Sequence, residues 1–428
     1  MQCSLKKLPK GMAELTIEVS PEEARPQLEK AAKELSSRQK IEGFRPGKAS
    51  YDTVKTRFGE TAIYEEALPD IVRKSYVQAV KENELRAFGE PTINVTKMAA
   101  GNPVCYTATV ALVPQVLSMP DLKKIKVKPK EIKIEDKEVE ESVRQLQKMQ
   151  TKEARVNREA RSGDKIIVDM DLSQGGVTLE GGQARDHSVY LDEEYYIPGF
   201  EDQVLGLKEG EKKKFTLKFP TEHFQKHLAG QDVDFEVTLK GIFELIHPEL
   251  NDEFAKSLGQ ESMDGLRVLL RGNIEQDARE KERQRVEIEI LERIAEKSRF
   301  EEIPDQIANA EVERMLHELK HDINNRGLEF EDYLKSIKKT LAELKLDFAP
   351  QAIKRIKTAL LLREIGLQEK IDAEDQEVMA EIQEMMNRYS ENAEVQGQLR
   401  SDEYQDYVRT SLRNRKVLEF LRQTVLEK

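Results

Sequence analysis

The spacing of hydrophobic positions divides the chain into three regions, and the first region combines two patterns. Apolar and polar residues alternate from Gly11 to Val19, which predicts a β-strand. Apolar residues three and four positions apart follow, and Ser20 with Glu23 supplies the capping pair that begins a helix. The same patterns predict helices from Ser50 to Gly59 and on to about Leu85, and strands at Thr92–Met98 and Val104–Val113. Residues 1–113 are therefore predicted to form an α+β domain.

The central region, residues 152–245, consists of short alternating segments separated by glycine pairs. The pairs Gly175-Gly176 and Gly181-Gly182 predict hairpin turns. Alternation predicts strands at Lys165–Asp171, His187–Leu191, Lys213–Phe219 and Asp232–Phe243. We expect a compact β-rich module here. Residues 114–151 precede it as a linker that ends in an amphipathic helix, Glu135–Met149.

The third region, residues 246–428, is almost entirely helical in its pattern. Apolar residues at helical spacing predict six helices, at Gly265–Arg299, Pro304–Asn325, Phe330–Lys345, Pro350–Lys370, Ala373–Tyr389 and Asp402–Glu427. The predicted fold is therefore multidomain α+β. An N-terminal α+β domain is followed by a β-rich module and an elongated, all-α C-terminal domain.

The composition and charge narrow the range of partners. Hydrophobic residues make up 38% of the 428 residues and charged residues 35%, which favours an extended, helix-rich protein over a compact globule. The net charge of −12 argues against a general nucleic-acid binder. Residues 1–58, however, carry 12 basic and 8 acidic side chains, so their net charge is +4 and the remainder carries −16. Only the N-terminal end is suited to an anionic surface.

The cysteines and the apolar segments bear on location. Two cysteines, Cys3 and Cys105, in so long a chain fit a reducing compartment, although a disulfide between them is left open. The first residues lack the apolar run of a signal peptide, and no segment approaches the length of a membrane span. A cytoplasmic protein without a membrane partner is expected.

A short loop between two predicted helices carries the first candidate chemistry. It contains, in order, Gly43, Phe44, Arg45, Pro46, Gly47 and Lys48. The glycines allow turns and the proline stiffens the chain, so the aromatic and cationic side chains would be held toward solvent. Such a tip suits a partner with an apolar notch surrounded by negative charge. Two interpretations remain open: a docking loop, or an ordinary turn in which Phe44 folds back over the preceding helix.

One further motif and the loop itself can be compared with known catalytic and ligand-binding motifs. His317-Glu318-Leu319-Lys320-His321 has the two histidines and glutamate of a zinc-protease helix, but the surrounding helix is strongly charged. The extended motif also fails, because Asn324 and Gly327 stand where a glycine and a third histidine are needed. The loop at residues 43–48 is not a phosphate-binding P-loop, since three residues separate its glycines instead of four. We expect no metal, no nucleotide and no other cofactor.

In the order of its parts, the chain resembles the bacterial trigger factor family of ribosome-associated chaperones. Gly43-Phe44-Arg45-Pro46-Gly47-Lys48 resembles the ribosome-docking loop of that family. Ile197-Pro198-Gly199-Phe200-Glu201 and the later Gly210-Glu211 resemble an FKBP-type peptidyl-prolyl isomerase, and the helical remainder is similar to the chaperone body with its two arms. The resemblance implies that residues 43–48 contact a ribosomal protein and rRNA of the large subunit, beside the exit tunnel.

The resemblance also implies a peptide pocket in the central module. Ile197, Phe200 and Phe235 match the family's pocket positions. Four other positions, where the family usually has aromatic residues, carry Met170, Leu179, His187 and His223, and Phe224 is a local substitute for one aromatic. Isomerase activity is therefore expected to be weak or lost.

Three functions are compatible with the sequence. The favoured one is an ATP-independent chaperone that binds nascent and unfolded polypeptides at the ribosome, and the family resemblance adds weak homodimerisation away from it. The second is a free cytosolic prolyl isomerase whose helices recruit clients. The third is a helical scaffold with a non-catalytic FKBP-like module. Salt-sensitive ribosome binding separates the first from the others, because a charge-assisted contact weakens as ionic strength rises.

Overall fold

The computed structural model describes residues 1–39, 41–191, 197–221, 228–390 and 392–426. The chain divides into two compact units. One comprises Met1–Pro129 together with Arg283–Lys428, and the other comprises Lys130–Glu282. The boundaries expected at residues 113, 151 and 245 stay a prediction.

The N-terminal region is an antiparallel sheet covered by three helices. The strands are β1 (Gln2–Leu8), β2 (Met12–Val19), β3 (Ala87–Lys97) and β4 (Val104–Leu112), in the order β1-β2-β4-β3. The helices are α1 (Pro21–Arg38), α2 (Tyr51–Phe58) and α3 (Glu60–Glu82). Alternation does not predict β1, because it is an edge strand whose side chains are mostly exposed. The predicted capping box at Ser20 and Glu23 is confirmed.

The strand register decides the question of a disulfide. Cys3 on β1 lies opposite Ile17 on β2, and Ile17 lies opposite Tyr106 on β4. Cys105 is therefore two strands away, roughly 10 Å, and its side chain points to the other face of the sheet. That separation exceeds what a disulfide spans. Both cysteines are free thiols.

The central module is a five-stranded antiparallel sheet. It follows β5 (Val116–Ser118) and α4 (Asp136–Met149), and its elements are β6 (Lys152–Arg155), β7 (Asp164–Gln174), β8 (Val177–Tyr190), α5 (Phe200–Val204), β9 (Lys212–Lys218) and β10 (Asp232–Ile246). The long strand β10 pairs with β6, β7 and β9, and β7 pairs with β8. Each predicted strand is present, and β7, β8 and β10 extend beyond their predicted bounds.

The two glycine pairs behave differently. Gly175-Gly176 forms the β7–β8 hairpin turn with both φ angles positive, as predicted. Gly181-Gly182 does not form a turn, so that prediction was wrong. It lies within β8, where the pairing steps from Thr178 opposite Ser173 to Gln183 opposite Asp171. The extra residues of β8 bulge outward, and Gly181 supplies the positive φ of 73° that the bulge needs.

A half-buried glutamate on this sheet gives a prediction about the pH dependence of stability. Glu236 on β10 binds Lys212 and Lys214 on β9, and these hydrogen bonds lower the pKa of Glu236 to about 2. A carboxyl with a lowered pKa stabilises the folded state above its unfolded pKa, and this contribution is lost as the pH falls. Glu236→Gln should therefore unfold at a lower temperature than the wild type near neutral pH. The difference should shrink below pH 4.5 and vanish near pH 2. Thermal melts over this range test it.

A charge-matched control is available on the same module. Asp202 is exposed on α5 and makes no ion pair among the described residues. Asp202→Asn removes the same charge, and its melting temperature should show no comparable pH-dependent difference from the wild type. An equal pH dependence in both variants would mean that net charge, and not the contact with the two lysines, sets the effect.

The C-terminal region is helical, as predicted, apart from the two-residue strand β11 (Arg299–Phe300), which pairs with β5. Its helices are α6 (Asp252–Ser257), α7 (Met263–Lys297), α8 (Asp305–Asn325), α9 (Phe330–Ser336), α10 (Leu341–Gln368), α11 (Asp375–Arg388), α12 (Ala393–Leu399) and α13 (Asp402–Val425). In the described ranges, no helix is both long and apolar enough to cross a bilayer.

The prediction was wrong about where α9 and α10 divide. The expected helix 330–345 ends at Ser336, and Lys338 has a left-handed φ of 52°. Thr340 and Glu343 then form a capping box that begins α10, which runs on through Pro350. The capping pair, and not the proline, therefore sets the start of the helix.

Candidate functional site

The loop after α1 consists of two successive tight turns. The N–H of Phe44 donates to the carbonyl of Ile41 at 3.2 Å, and the N–H of Lys48 donates to the carbonyl of Arg45 at 3.0 Å. In each turn the third residue is a glycine with a positive φ, 83° at Gly43 and 73° at Gly47. This is the pattern of type II turns, and the second has the preferred proline at its second position.

The loop is attached to the domain at both ends. Ile41 is only 7% exposed and packs in the N-terminal core. The N–H of Gly47 donates to the carbonyl of Ser36 in α1 at 3.2 Å. A Cβ at Gly47 would lie 2.5 Å from Oγ of Ser37, so glycine is required both by φ and by space. The tip is therefore held in a defined conformation against α1.

The side chains between these attachments face solvent. Phe44 is 45% exposed and lies outside the N-terminal hydrophobic core. Arg45 and Lys48 are exposed, and neither makes an ion pair with any described residue. An exposed ring on the same loop as two cations without an ion pair to any described residue is the arrangement expected of a docking surface, whereas a ring folded back over α1 would be largely buried.

The second candidate site lies in the central module, where four phenylalanines form one aromatic cluster. Phe235 on β10 is 3% exposed, and its ring is stacked on Phe215 with the centroids 5.5 Å apart. Phe200, also 3% exposed, meets both rings edge-on at 5.9 Å and 5.7 Å. Phe219 stacks on Phe235 at 6.1 Å. Phe200, Phe219 and Phe235 are nearly fully buried in the core of the module, and the cluster is a candidate floor for an apolar pocket.

The structure places the predicted pocket residues in three groups. Phe200 and Phe235 lie within the core of the module. Half-buried Ile197, Met170 and Leu179 pack against that core. His187 is exposed on β8, opposite Val168 in the register. His223 and its substitute Phe224 lie outside the described residues. The described residues among those predicted for the pocket are therefore aliphatic or phenylalanine, apart from His187.

Sequence reasoning missed Phe215 as a member of this cluster. Its strand, β9, alternates between exposed and half-buried residues, and this alternation places Phe215 and Leu217 on the buried face. This two-residue alternation was the sequence signal that could have assigned Phe215 to the buried face. The register completes the explanation, because Phe215 lies directly opposite Phe235 in the β9–β10 ladder.

The zinc-protease motif is located on the surface of α8. His317 and His321 are both exposed, and Glu318 accepts two hydrogen bonds from Arg355 on α10 at 3.0 and 3.4 Å. The glutamate thus joins two helices. Across the residues with described coordinates, no three His, Cys, Asp or Glu side chains are grouped closely enough to hold a metal ion.

Family models match nearly all of the chain. The model for bacterial trigger factor protein matches residues 1–146, and the model for its C-terminus matches residues 262–423. Between them, residues 156–240 match the FKBP-type peptidyl-prolyl cis-trans isomerase model, which covers the aromatic cluster.

Individual relatives agree with these models. The trigger factor of Carboxydothermus hydrogenoformans is 34% identical over 423 residues, covering 98% of each chain. That of Halalkalibacterium halodurans is 29% identical over 98% of each chain. A Bacillus cereus trigger factor is 32% identical over 91% of this chain and 92% of its own.

A solved structure of the trigger factor chaperone, studied for promiscuous substrate recognition, covers 99% of each chain at 19% identity with a TM-score of 0.48. A TM-score this low does not establish the family, which is shown by the sequence relatives and the family models. The chain belongs to the bacterial trigger factor family and carries an FKBP-type domain.

Proposed function

We propose that this protein is an ATP-independent cytoplasmic chaperone that docks on the large ribosomal subunit and binds polypeptides as they emerge. Residues 1–113 would provide the docking domain and residues 114–151 the connection. Residues 152–245 would form the isomerase-type pocket, and residues 246–428 would hold clients.

The observation that supports docking most strongly is the geometry of the 43–48 loop. Two tight turns hold Phe44 exposed on the same loop as Arg45 and Lys48, and the attachment to α1 fixes the loop before any partner arrives. A pre-ordered loop loses little conformational entropy on binding. Phe44 would fill an apolar notch in a ribosomal protein, and the two cations would contact rRNA phosphates.

Exposed apolar side chains on the C-terminal helices support client binding. Several large hydrophobic residues there are more than half exposed, among them Ile288, Leu328, Leu346, Leu367 and Met379. Separate exposed side chains of this kind provide many weak contacts, which suits unfolded clients of varied sequence. A client would leave as it buries its own apolar surface.

A second candidate function, prolyl isomerisation, is favoured by the aromatic cluster. Rotation about an X–Pro bond crosses a barrier of roughly 18–20 kcal/mol and needs no nucleophile. A dry apolar pocket helps by replacing the water around the twisted amide. Phe200, Phe215 and Phe235 would form the apolar floor of this pocket. The pocket lacks aromatic residues at Met170 and Leu179, so we propose weak turnover.

Aggregation of a client that contains no proline separates a chaperone from a free isomerase. The wild type should suppress its aggregation, because holding requires apolar contact and no X–Pro bond. Leu346→Asp and Met379→Asp place charges at side chains that are 73% and 65% exposed, and together they should weaken suppression several-fold. Light scattering measures the effect.

Val177→Asp is the control for an added charge, because Val177 is 71% exposed and belongs to the central module and not to a C-terminal helix. This variant should suppress aggregation as the wild type does. If the wild type fails to protect a proline-free client, the free-isomerase alternative replaces the chaperone. If all three substitutions weaken it equally, added charge alone explains the loss.

A further inference from the structure

Three arginines from separate elements meet beside α10 in the first unit. Leu360 on α10 packs in a cluster with Phe88 and Val113 of the N-terminal domain. Arg86 lies two residues before Phe88, and its carbonyl accepts a hydrogen bond from the N–H of Val113 at 2.8 Å. Arg363 lies three residues after Leu360, on the same face of the helix. The end of the N-terminal sheet thus brings Arg86 toward Arg363.

The third arginine comes from α13. Arg413 crosses α10 at Gly366, where a Cβ would lie 3.3 Å from its Cδ. Val417, one turn further along α13, is 3.5 Å from the same point. Because Gly366 has no side chain, α13 approaches α10 closely and Arg413 is held against it. Gly366 follows Arg363 by three residues, so both guanidinium groups lie along one side of α10.

None of these three guanidinium groups donates a hydrogen bond or forms an ion pair within the described ranges. The Nε of Arg413 is buried without a hydrogen-bond partner. Arginines nearby on the same helices are paired, as in Arg355 with Glu318 and Arg409 with Asp375. A buried N–H that is left unpaired is costly, so its persistence here requires an explanation.

The charges around Arg363 also indicate a site with excess positive charge. Burial lowers the pKa of Arg363, and the neighbouring Arg86 and Arg413 lower it further. Glu364 opposes this effect more weakly, and its carboxylate accepts a hydrogen bond from Gln368 at 2.9 Å. Three cations therefore repel one another at a partly desolvated site, and Glu364 compensates them only in part.

We propose that Arg86, Arg363 and Arg413 form a binding site for a phosphate group. A single carboxylate offers one charge and two oxygens, which would leave two guanidinium groups uncompensated. A phosphate group offers up to two charges and at least three acceptor oxygens, and the planar guanidinium matches it with paired hydrogen bonds. Inorganic phosphate and the backbone of an RNA strand both present this chemistry. The site lies outside the 43–48 loop and does not depend on ribosome docking.

Thermal unfolding of the full chain in phosphate and in chloride, at equal ionic strength, tests the site. The wild type should melt at a higher temperature in phosphate, because a ligand that binds only the folded state stabilises it. Arg363→Gln should melt higher than the wild type in chloride, since repulsion is relieved, and should lose most of the phosphate-specific shift. Calorimetric titration with inorganic phosphate should show at least tenfold weaker binding for Arg363→Gln and for Arg86→Gln, whose exposed side chain makes no described contact.

Arg415→Gln is the control. Arg415 is exposed on α13, the helix that carries Arg413, and its replacement removes the same single positive charge. This variant should keep the higher melting temperature in phosphate that the wild type shows. An equal shift in the wild type, Arg363→Gln and Arg86→Gln would overturn the proposal, since phosphate would then act only through general exclusion from the surface. A short single-stranded RNA identifies the source. Binding that weakens with Arg363→Gln and Arg86→Gln assigns the site to RNA phosphate, whereas phosphate-only binding assigns it to the free ion.

Discussion

Phe235→Ala is expected to destabilise the central module by about 3–5 kcal/mol, the usual cost of deleting a buried aromatic ring. Phe235 is 3% exposed and contacts the rings of Phe200, Phe215 and Phe219. Its removal leaves a cavity where three rings meet, and neighbouring strands prevent full collapse. A module of this size is stable by only about 5–15 kcal/mol, so the loss is a large share of the total.

Differential scanning calorimetry of the full chain measures this effect. The transition of the module should move down by more than 10 °C, because about 1 kcal/mol shifts the midpoint of a small domain by roughly 4–8 °C. Val177→Ala, on the exposed end of β8, is the control and should stay within about 0.5 kcal/mol of the wild type. A Phe235→Ala shift as small as that of the control would show that the rings do not form a cooperative core.

Replacing Phe44, Arg45 and Lys48 together by alanine is expected to weaken ribosome binding by about a hundred- to a thousandfold. Buried aromatic and arginine contacts at interface centres commonly cost about 2 kcal/mol or more each when truncated. A total of roughly 3–4 kcal/mol corresponds to that range of affinity. None of the three side chains belongs to the N-terminal core, so the fold should be unchanged.

Lys6→Ala with Lys7→Ala is the matched control for charge. Both lysines are exposed on β1 of the same domain, and the pair removes the same two positive charges. This double variant should lose only the small, salt-dependent part of the affinity that net charge supplies. If it binds as weakly as the triple variant, the overall charge of the domain and not the loop directs docking.

Pro46→Gly separates the contribution of loop rigidity from that of the contacts. Proline at the second position of a type II turn restricts the unfolded loop, and glycine removes that restriction at a cost of about 0.4–1 kcal/mol. Ribosome affinity should fall only about two- to fivefold, with Phe44, Arg45 and Lys48 still present. An unchanged affinity would show that pre-ordering of the loop does not contribute.

Local signals in the sequence predicted much of the fold. Ser20 and Glu23 encode a helix start within four residues, and the structure contains that capping box. The alternation from Val104 to Leu112 encodes a strand with one buried face, and that strand is present. Such features depend on neighbours in sequence, so no knowledge of the tertiary structure was required.

The errors arose where distant residues decide the outcome. Gly181-Gly182 has the composition of a turn, but pairing with β7 keeps the chain in one strand and converts the pair to a bulge. β1 lacks alternation because most of its side chains are exposed on both faces of the sheet edge. Likewise, the stacking of Phe215 on Phe235 depends on the β9–β10 register, which the sequence does not display.

The candidate sites also differ in whether they depend on neighbouring or on distant residues. The composition of the 43–48 loop predicts turns and exposure, because glycine and proline act locally. The isomerase pocket is a prediction from family resemblance, and its described residues lie on β7, β8, β10, α5 and the segment before α5. The three arginines near Gly366 are 50 or more residues apart in sequence, so no motif could indicate them.

Co-sedimentation with ribosomes over a series of salt concentrations tests the central claim most directly. The wild type should pellet with ribosomes at low salt and should be released progressively as salt rises, because Arg45 and Lys48 contact phosphates. The triple alanine variant should remain in the supernatant throughout, while the Lys6 and Lys7 double variant should pellet nearly as the wild type does and be released at slightly lower salt. Equal pelleting of the triple variant and the wild type at every salt concentration would contradict docking through this loop.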